Sequence, residues 1–170
     1  MKIVSFARDF IAVAWYNKTM KNDHDFKSEL AGAIDANKNS KILEWTINFL
    51  QSHEKNNEVV NDIKKRKIAK IRFIEYPLSS LQRTIGPQNG EAVVESVEEW
   101  VKRVKVFEER IKNKHLPAPI IATDFWQKLH VVDGNHRHEA LLKSGFKKYW
   151  TIFLLENSDS EKKLFEHHEN

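Results

Sequence analysis

The 170-residue chain contains no cysteine, and this absence excludes several kinds of site at once. Structural disulfides, thiolate zinc sites and cysteine nucleophiles all need a thiol that the sequence does not supply. With 5 glycines and 4 prolines, the chain is also not a collagen-like polymer. Hydrophobic residues make up 41% of the sequence, which is enough to form a core and excludes wholesale disorder. We therefore expect one folded domain of ordinary size.

Long hydrophobic runs are missing as well. The longest run near the start, residues 10–16, is far shorter than the roughly 18–20 residues that span a membrane. Arg8 and Asp9 interrupt the segment that would have to serve as a signal peptide. These features predict a cytoplasmic protein with no membrane partner. The formal net charge of +4 is compatible with a phosphate-bearing partner but does not indicate one, and the oligomeric state stays open.

Two halves of the chain differ in pattern. Residues 1–68 are predicted to form an N-terminal helical region, because apolar residues recur at helical spacing over 3–14, 26–34 and 42–50. Residues 69–156 contain four β-rich segments, at 70–76, 119–122, 129–132 and 149–155. Residues 157–170 are polar and predicted to fray. The predicted fold class is α/β (α+β), a small mixed sheet packed by helices.

A long amphipathic helix is predicted between the first two strand segments. Its apolar stripe begins at Val93 and continues to Ile111 with alternating spacings of four and three. The pair Asn89-Gly90 is its predicted start, which places Glu91 and Glu95 near the positive end of the helix. The stripe predicts a helix that packs against the core.

The segment 129–145 carries the chemistry. A strand ends at Asp133-Gly134 and a helix begins at once, with apolar residues 140–142 predicted to face inward and Gly145 to close the helix in the left-handed conformation. Gly134 permits a tight turn, and the backbone amides of residues 135–137 lack helical partners. Together with the helix dipole and the guanidinium of Arg137, this turn suits a phosphate group. The alternative is an ordinary connection, with Asp133 capping the helix and the side chains of residues 136–138 exposed.

Two segments resemble the ParB/sulfiredoxin superfamily. Residues 131–145 are similar to its signature box, in which Asp-Gly-x-His-Arg or Gly-Cys-His-Arg opens a helix. Residues 76–84 resemble the sulfiredoxin segment that ends in an Arg-Pro pair. The resemblance covers roughly residues 69–156 and implies a ParB/sulfiredoxin-like fold. Among these families, the motif Asp-Gly-Asn-His-Arg is closest to that of free serine kinases.

The resemblance implies a nucleotide-phosphate site. Gly134, Asn135, His136 and Arg137 would cradle the phosphates of ATP, ADP or CTP, and Arg83 would support the transferred phosphoryl group. Asn135 stands where sulfiredoxins carry their reactive cysteine, so repair of sulfinic acids is excluded. The catalytic carboxylate of free serine kinases aligns near Arg83, which cannot act as a base, so no general base is identified.

Two carboxylates near the motif are further candidates. Asp133 is the first candidate for a Mg²⁺ ligand or a general base, because phosphoryl transfer needs charge neutralisation and an oriented nucleophile. Its other possible role is the helix cap mentioned above. Glu139 is expected either to orient Arg137 from the next helical turn or to be solvated.

These residues leave three functions open. The first is a nucleotide-binding protein that acts as an ATP- or ADP-dependent phosphotransferase or nucleotidase with Mg²⁺. The second is a ParB-like DNA-binding protein or nuclease that uses the dense basic patch within residues 64–72. This patch comprises Lys64, Lys65, Arg66, Lys67, Lys70 and Arg72. The third is an interaction module that kept the fold and lost catalysis.

Overall fold

The computed structural model describes residues 26–52, 56–65, 68, 70–88, 91–125 and 128–166. Its helices are α1 (Phe26–Lys38), α2 (Ile42–Ser52), α3 (Asn57–Lys65), α4 (Val97–Lys112), α5 (Asn135–Lys143) and α6 (Ser158–Glu166). Its strands are β1 (Lys70–Pro77), β2 (Gln82–Arg83), β3 (Ile120–Phe125), β4 (Lys128–Asp133) and β5 (Lys148–Leu155). The fold is therefore mixed α/β, as predicted. The helix predicted over residues 3–14 lies outside the described residues, as do Arg66 and Lys67 of the basic patch.

The strands form one mixed sheet in the order β1-β5-β3-β4-β2. Strand β5 pairs antiparallel with β1 and parallel with β3, and β4 pairs antiparallel with β3 and parallel with β2. The inner strands β3 and β5 are nearly continuous apolar runs because helices cover both faces of the sheet. All four strands predicted from the sequence are present, and the two-residue strand β2 is an addition.

The two faces of the sheet carry separate parts of the core. Along β5, Ile152 and Leu154 pack with the N-terminal helices, whereas Phe153 and Leu155 pack on the opposite face with residues of α5 and α6. This alternation follows from the two-residue period of a strand. Helices α1, α2 and α3 share their apolar cluster with β1, β3 and β5. The N-terminal helices therefore belong to the same packed core as the sheet.

Helix α4 begins at Val97, so the predicted start at Asn89-Gly90 is wrong. A capping box determines the boundary: the Ser96 hydroxyl accepts from the Glu99 amide, and the Glu99 carboxylate accepts from the Ser96 amide. Val93, assigned to the apolar stripe, is 72% exposed. The consequence for function is that Glu91 and Glu95 precede the helix and are available for other contacts.

The chain after β5 also differs from its prediction. Residues 158–166 form α6 instead of a frayed tail, with the Asn157 carboxamide accepting from the amides of Asp159 and Ser160. Leu164 is fully buried, and Glu161 forms ion pairs with strand β1. The pattern was missed because a short helix with few buried positions shows little periodicity. Within the described ranges, every helix falls short of the length and apolar character that a membrane crossing requires.

Candidate functional site

The turn between β4 and α5 forms the centre of the site. Gly134 is the N-cap of α5 and has a left-handed backbone, with φ 94° and ψ 24°. A Cβ atom at this position would lie 2.9 Å from Nε and Nη2 of Arg137 and 3.2 Å from Cδ1 of Ile120. Gly134 is thus required both for the backbone conformation and for the close approach of a guanidinium. Gly145 beyond the end of α5 is left-handed as predicted, with φ 85°.

Arg137 folds back over this turn. Its Nη2 donates to Oδ2 of Asp133, and its guanidinium lies 5.5 Å from the centre of the Phe49 ring in α2. Both charged side chains are almost completely buried, so each compensates the charge of the other. Asp133 is therefore an ion-pair partner, and no side chain caps the N-terminus of α5. The alternative of an ordinary connection with exposed side chains at 136–138 does not hold, because all three are buried.

Asn135 connects the turn to the segment that follows β2. Its side chain is fully buried, and Oδ1 accepts from the backbone amides of Thr84 (3.1 Å) and Ile85 (3.4 Å). The Thr84 hydroxyl in turn donates to the carbonyl of Val131 in β4 (2.7 Å). These three bonds hold residues 84–85 against the turn at a sequence separation of about fifty residues.

Two polar atoms of the turn lack a hydrogen-bond partner among the described residues. They are Nδ2 of Asn135 and Oδ1 of Asp133, both buried. Buried polar atoms are nearly always hydrogen bonded, so a ligand is a physical explanation for an orphan donor and an orphan acceptor in one turn. Because Asn135 Oδ1 is held by two amides, its Nδ2 has a determined direction and acts as a donor.

Arg83 reaches the same helix from strand β2. Its parallel pairing places it opposite Val131 of β4, and its side chain is buried. Nε donates to Oε1 of Glu91 at 2.9 Å, and Nη1 pairs with Glu139. The guanidinium also lies 5.5 Å from the centre of the Trp100 ring. Arg83 thus contacts α5 through Glu139, while Arg137 pairs with Asp133, the last residue of β4.

The prediction that Glu139 orients Arg137 is wrong, because Glu139 pairs with other residues and is not solvated. Glu139 pairs with Arg83 and, at 3.3 Å, with Lys143, and its side chain is mostly buried. The reason is helical geometry: residues two positions apart point to different sides of a helix, so Glu139 and Arg137 face different neighbours. The inward orientation expected for Leu142 is also wrong, because Leu142 is exposed, whereas Ala140 and Leu141 are buried as predicted.

Glu91 and Glu95, which sequence analysis assigned to the helix, are brought into the site. Glu95 accepts from His136 Nε2 at 2.6 Å and pairs with Arg103 Nε at 3.1 Å. The His136 ring lies against Trp100, with ring centres 4.2 Å apart and the planes tilted by 35°. Burial alone would raise the pKa of the Glu95 carboxyl, but the hydrogen bond and charge of His136, with the charge of Arg103, hold this pKa below its ordinary value. The capping box of Ser96 and Glu99 can be read from the sequence. It would have indicated that the helix begins after Glu91 and Glu95.

His138 is the second buried histidine of the motif. Its Nε2 donates to the carbonyl of Leu78 at 2.8 Å, and its Nδ1 has no partner among the described residues. Burial lowers the pKa of His138, and the charge of Arg83 acts in the same direction, against the opposing effects of the Leu78 carbonyl and Glu91. His138 is therefore neutral at pH 7.

A pH-dependent loss of stability follows from this buried imidazole. Because the pKa is lower in the folded than in the unfolded protein, the contribution of His138 is complete above about pH 6.5 and declines as the pH falls towards the folded value. We expect the stability advantage of the wild type over His138→Gln to shrink by up to about 1.4 kcal/mol per pH unit below pH 6.5. Urea unfolding of both proteins from pH 7.5 to 5 measures it, and a pH-independent difference would contradict the assignment.

The described residues offer no ready-made metal cluster at the site. Among the described residues, no group of three or more His, Asp or Glu side chains is arranged to hold a metal ion. Asp133 retains one carboxylate oxygen without a partner, so it fits the role of one Mg²⁺ ligand. Proteins commonly bind Mg²⁺ through one or two carboxylates together with substrate phosphates and water. The Mg²⁺ role of Asp133 stays a prediction.

The basic patch is partly neutralised. Lys70 and Arg72 on β1 both form ion pairs with Glu161 of α6. Lys64 and Lys65 are exposed at the end of α3. The DNA-binding alternative therefore rests on fewer uncompensated cations than the sequence suggested.

Comparison with known proteins gives matches among solved structures alone. No family model matches the chain, and no curated protein matches it. Among solved structures, the chain is similar to sulfiredoxin from Arabidopsis thaliana, with 19% identity, a TM-score of 0.38, and coverage of 58% of this chain and 98% of that chain. At this level of similarity, the match supports no conclusion about activity.

Proposed function

We propose that this protein binds the phosphates of a nucleotide at the turn between β4 and α5. The observation that carries the proposal is the buried carboxamide of Asn135, whose Nδ2 has no hydrogen-bond partner among the described residues. This donor lies in the first turn of a helix, beside the left-handed Gly134 and the guanidinium of Arg137. A phosphate oxygen is the acceptor that these groups would share.

The physical basis is the accumulation of donors at one point. The first amides of a helix have no intrahelical acceptors, and the helix dipole favours negative charge there. Phosphate groups bind such positions through backbone amides, and a nearby guanidinium adds charge-assisted hydrogen bonds. Burial strengthens each of these interactions because the local dielectric constant is low.

The same site supports phosphoryl transfer or nucleotide hydrolysis as the activity. Asp133 would hold Mg²⁺ with the phosphates, and the ion would neutralise their negative charge. Gly134, Asn135, His136 and Arg137 would bind and orient the phosphates, and Arg83 would compensate charge on the transferred group. Glu139 keeps Arg83 at the helix, so its role is positional.

The proposal is tested by replacing the orphan donor with an acceptor. Asn135→Asp keeps the oxygen that accepts from Thr84 and Ile85 and substitutes a carboxylate oxygen for the Nδ2 donor. We expect calorimetric affinity for ADP, with and without Mg²⁺, to fall by about tenfold or more, because a charge-assisted hydrogen bond is replaced by repulsion. The matched control is Asn61→Asp, the same change at an exposed position of α3, which should bind as the wild type does.

Wild-type protein provides the second measurement. It is titrated with ATP, ADP, CTP and inorganic pyrophosphate at fixed salt, so that the result does not depend on the stability of a variant. Absence of heat with all four ligands contradicts the proposal. Equal binding by Asn135→Asp and wild type, with both proteins folded by thermal unfolding, contradicts the assignment to this turn.

A further inference from the structure

We infer that the Glu91 carboxylate occupies a second anion subsite, next to Asn135, and that the terminal phosphate of a nucleoside diphosphate or triphosphate takes its place on binding. This inference rests on the proposed function and narrows its ligand to compounds with at least two linked phosphates. It also gives a role to a carboxylate that the sequence analysis had placed near the positive end of the long helix.

The contacts of Glu91 are those expected of a bound anion. Oε1 accepts from Arg83 Nε at 2.9 Å, and Oε2 accepts from the backbone amide of Gln88 at 3.1 Å. A Cβ atom at Gly86 would lie 2.1 Å from Oε2, so the carboxylate rests directly on a glycine backbone. A guanidinium, a backbone amide and a glycine that permits close approach are the groups that proteins use to bind phosphate.

This subsite is continuous with the first one. Arg83 and Gly86 flank Thr84 and Ile85, the residues whose amides donate to the Asn135 side chain. The backbone of the connection is closed by hydrogen bonds from Ala92 N to Thr84 O (2.8 Å) and from Gly86 N to Ala92 O (3.1 Å). The segment that carries Arg83 and Gly86 is therefore hydrogen bonded to the side chain of Asn135, which brings the two subsites together as linked phosphates require.

Exchange of the carboxylate for a phosphate keeps an anion on each of the two paired nitrogens of Arg83. Arg83 keeps Glu139 as a partner when Glu91 leaves, because that pair uses a different nitrogen of the guanidinium. Glu91 lies outside the regular elements, in the connection between β2 and α4, so its side chain can move without disrupting a helix or strand. A terminal phosphate carries more negative charge than the carboxylate that it replaces, which favours the exchange.

The experiment compares ADP with AMP on Glu91→Gln. This variant keeps the size of the side chain but removes its charge, so a competing anion is lost. We expect the affinity for ADP to rise by about tenfold or more, and the affinity for AMP, which would occupy only the first subsite, to stay unchanged. Glu109→Gln, the same change at an exposed position of α4, is the control and should leave both affinities unchanged.

Each outcome separates the two proposals. Weaker ADP binding by Glu91→Gln would mean that Glu91 positions Arg83. Unchanged ADP binding would mean that the carboxylate is not displaced. Either result overturns the inference, while the proposed function stands. If neither protein binds ADP or AMP, both proposals fail.

A measurement on wild-type protein keeps the inference falsifiable if the variant does not fold. The amide resonance of Gln88 reports the carboxylate directly, because this amide donates to Glu91. Saturation with ADP should shift it, and saturation with AMP should not. An unchanged Gln88 resonance under saturating ADP overturns the inference.

Discussion

Arg137→Met is expected to lower the free energy of unfolding by about 3–5 kcal/mol, because it leaves the buried carboxylate of Asp133 without its counter-charge. Methionine keeps much of the length of the side chain and its apolar contact with Phe49, so the lost charge is the main change. Urea unfolding at pH 7 measures the effect.

Two further variants test whether the unpaired Asp133 carboxylate causes this loss of stability. Asp133→Asn combined with Arg137→Met should recover part of the loss, since the orphaned group is then neutral. Lys143→Met breaks a partly exposed ion pair with Glu139 and should cost no more than about 1 kcal/mol. A loss for Arg137→Met as small as that for Lys143→Met would show that the Asp133–Arg137 pair is not buried in solution.

Gly134→Ala is the substitution with the second-largest expected effect. The left-handed backbone costs a residue with a Cβ about 1 kcal/mol, and contact with Arg137 and Ile120 adds to this, so we expect about 2–3 kcal/mol in total. Nucleotide affinity should fall as well, because the added methyl group displaces the guanidinium from the turn.

Gly145→Ala provides the matched control for this prediction. Gly145 has a similar backbone, with φ 85°, but nothing lies within 4 Å of a Cβ built there. This variant should lose only the cost of the left-handed conformation, about 1 kcal/mol, and bind nucleotide normally. Equal losses at Gly134 and Gly145 would contradict the close approach of Arg137.

The charges of the site explain why the overall charge of the chain says little about its function. Arg83, Arg103 and Arg137 are all paired with carboxylates, so the site presents no excess of positive charge before a ligand binds. The cationic residues that remain exposed lie elsewhere, for example at the end of α3. A phosphate ligand would therefore bind by exchange with a carboxylate, which makes Glu91 and Asp133 as important for affinity as the arginines.

The starts of α4 and α5 show what local sequence patterns can and cannot predict. The start of α5 was predicted correctly because strand, glycine and apolar helix follow one another within a few residues. The predicted start of α4 was wrong because the apolar period extends back to Val93, whereas the capping box of Ser96 and Glu99 begins the helix later in the chain. As a consequence, the partners of Arg83 and His136 were missed, because Glu91 and Glu95 had been placed near the positive end of that helix.

By itself, the sequence determined the α/β class, the four longer strands, the turn at Gly134 and the absence of thiol chemistry. All of these depend on residue types and on neighbours within about ten positions. Only the tertiary structure decided that Asp133 pairs with Arg137, that Glu139 pairs with Arg83, and that Glu95 binds His136 across 41 positions. The physical reason is that a buried charge takes the nearest opposite charge in space, and chain folding, not sequence order, sets that distance.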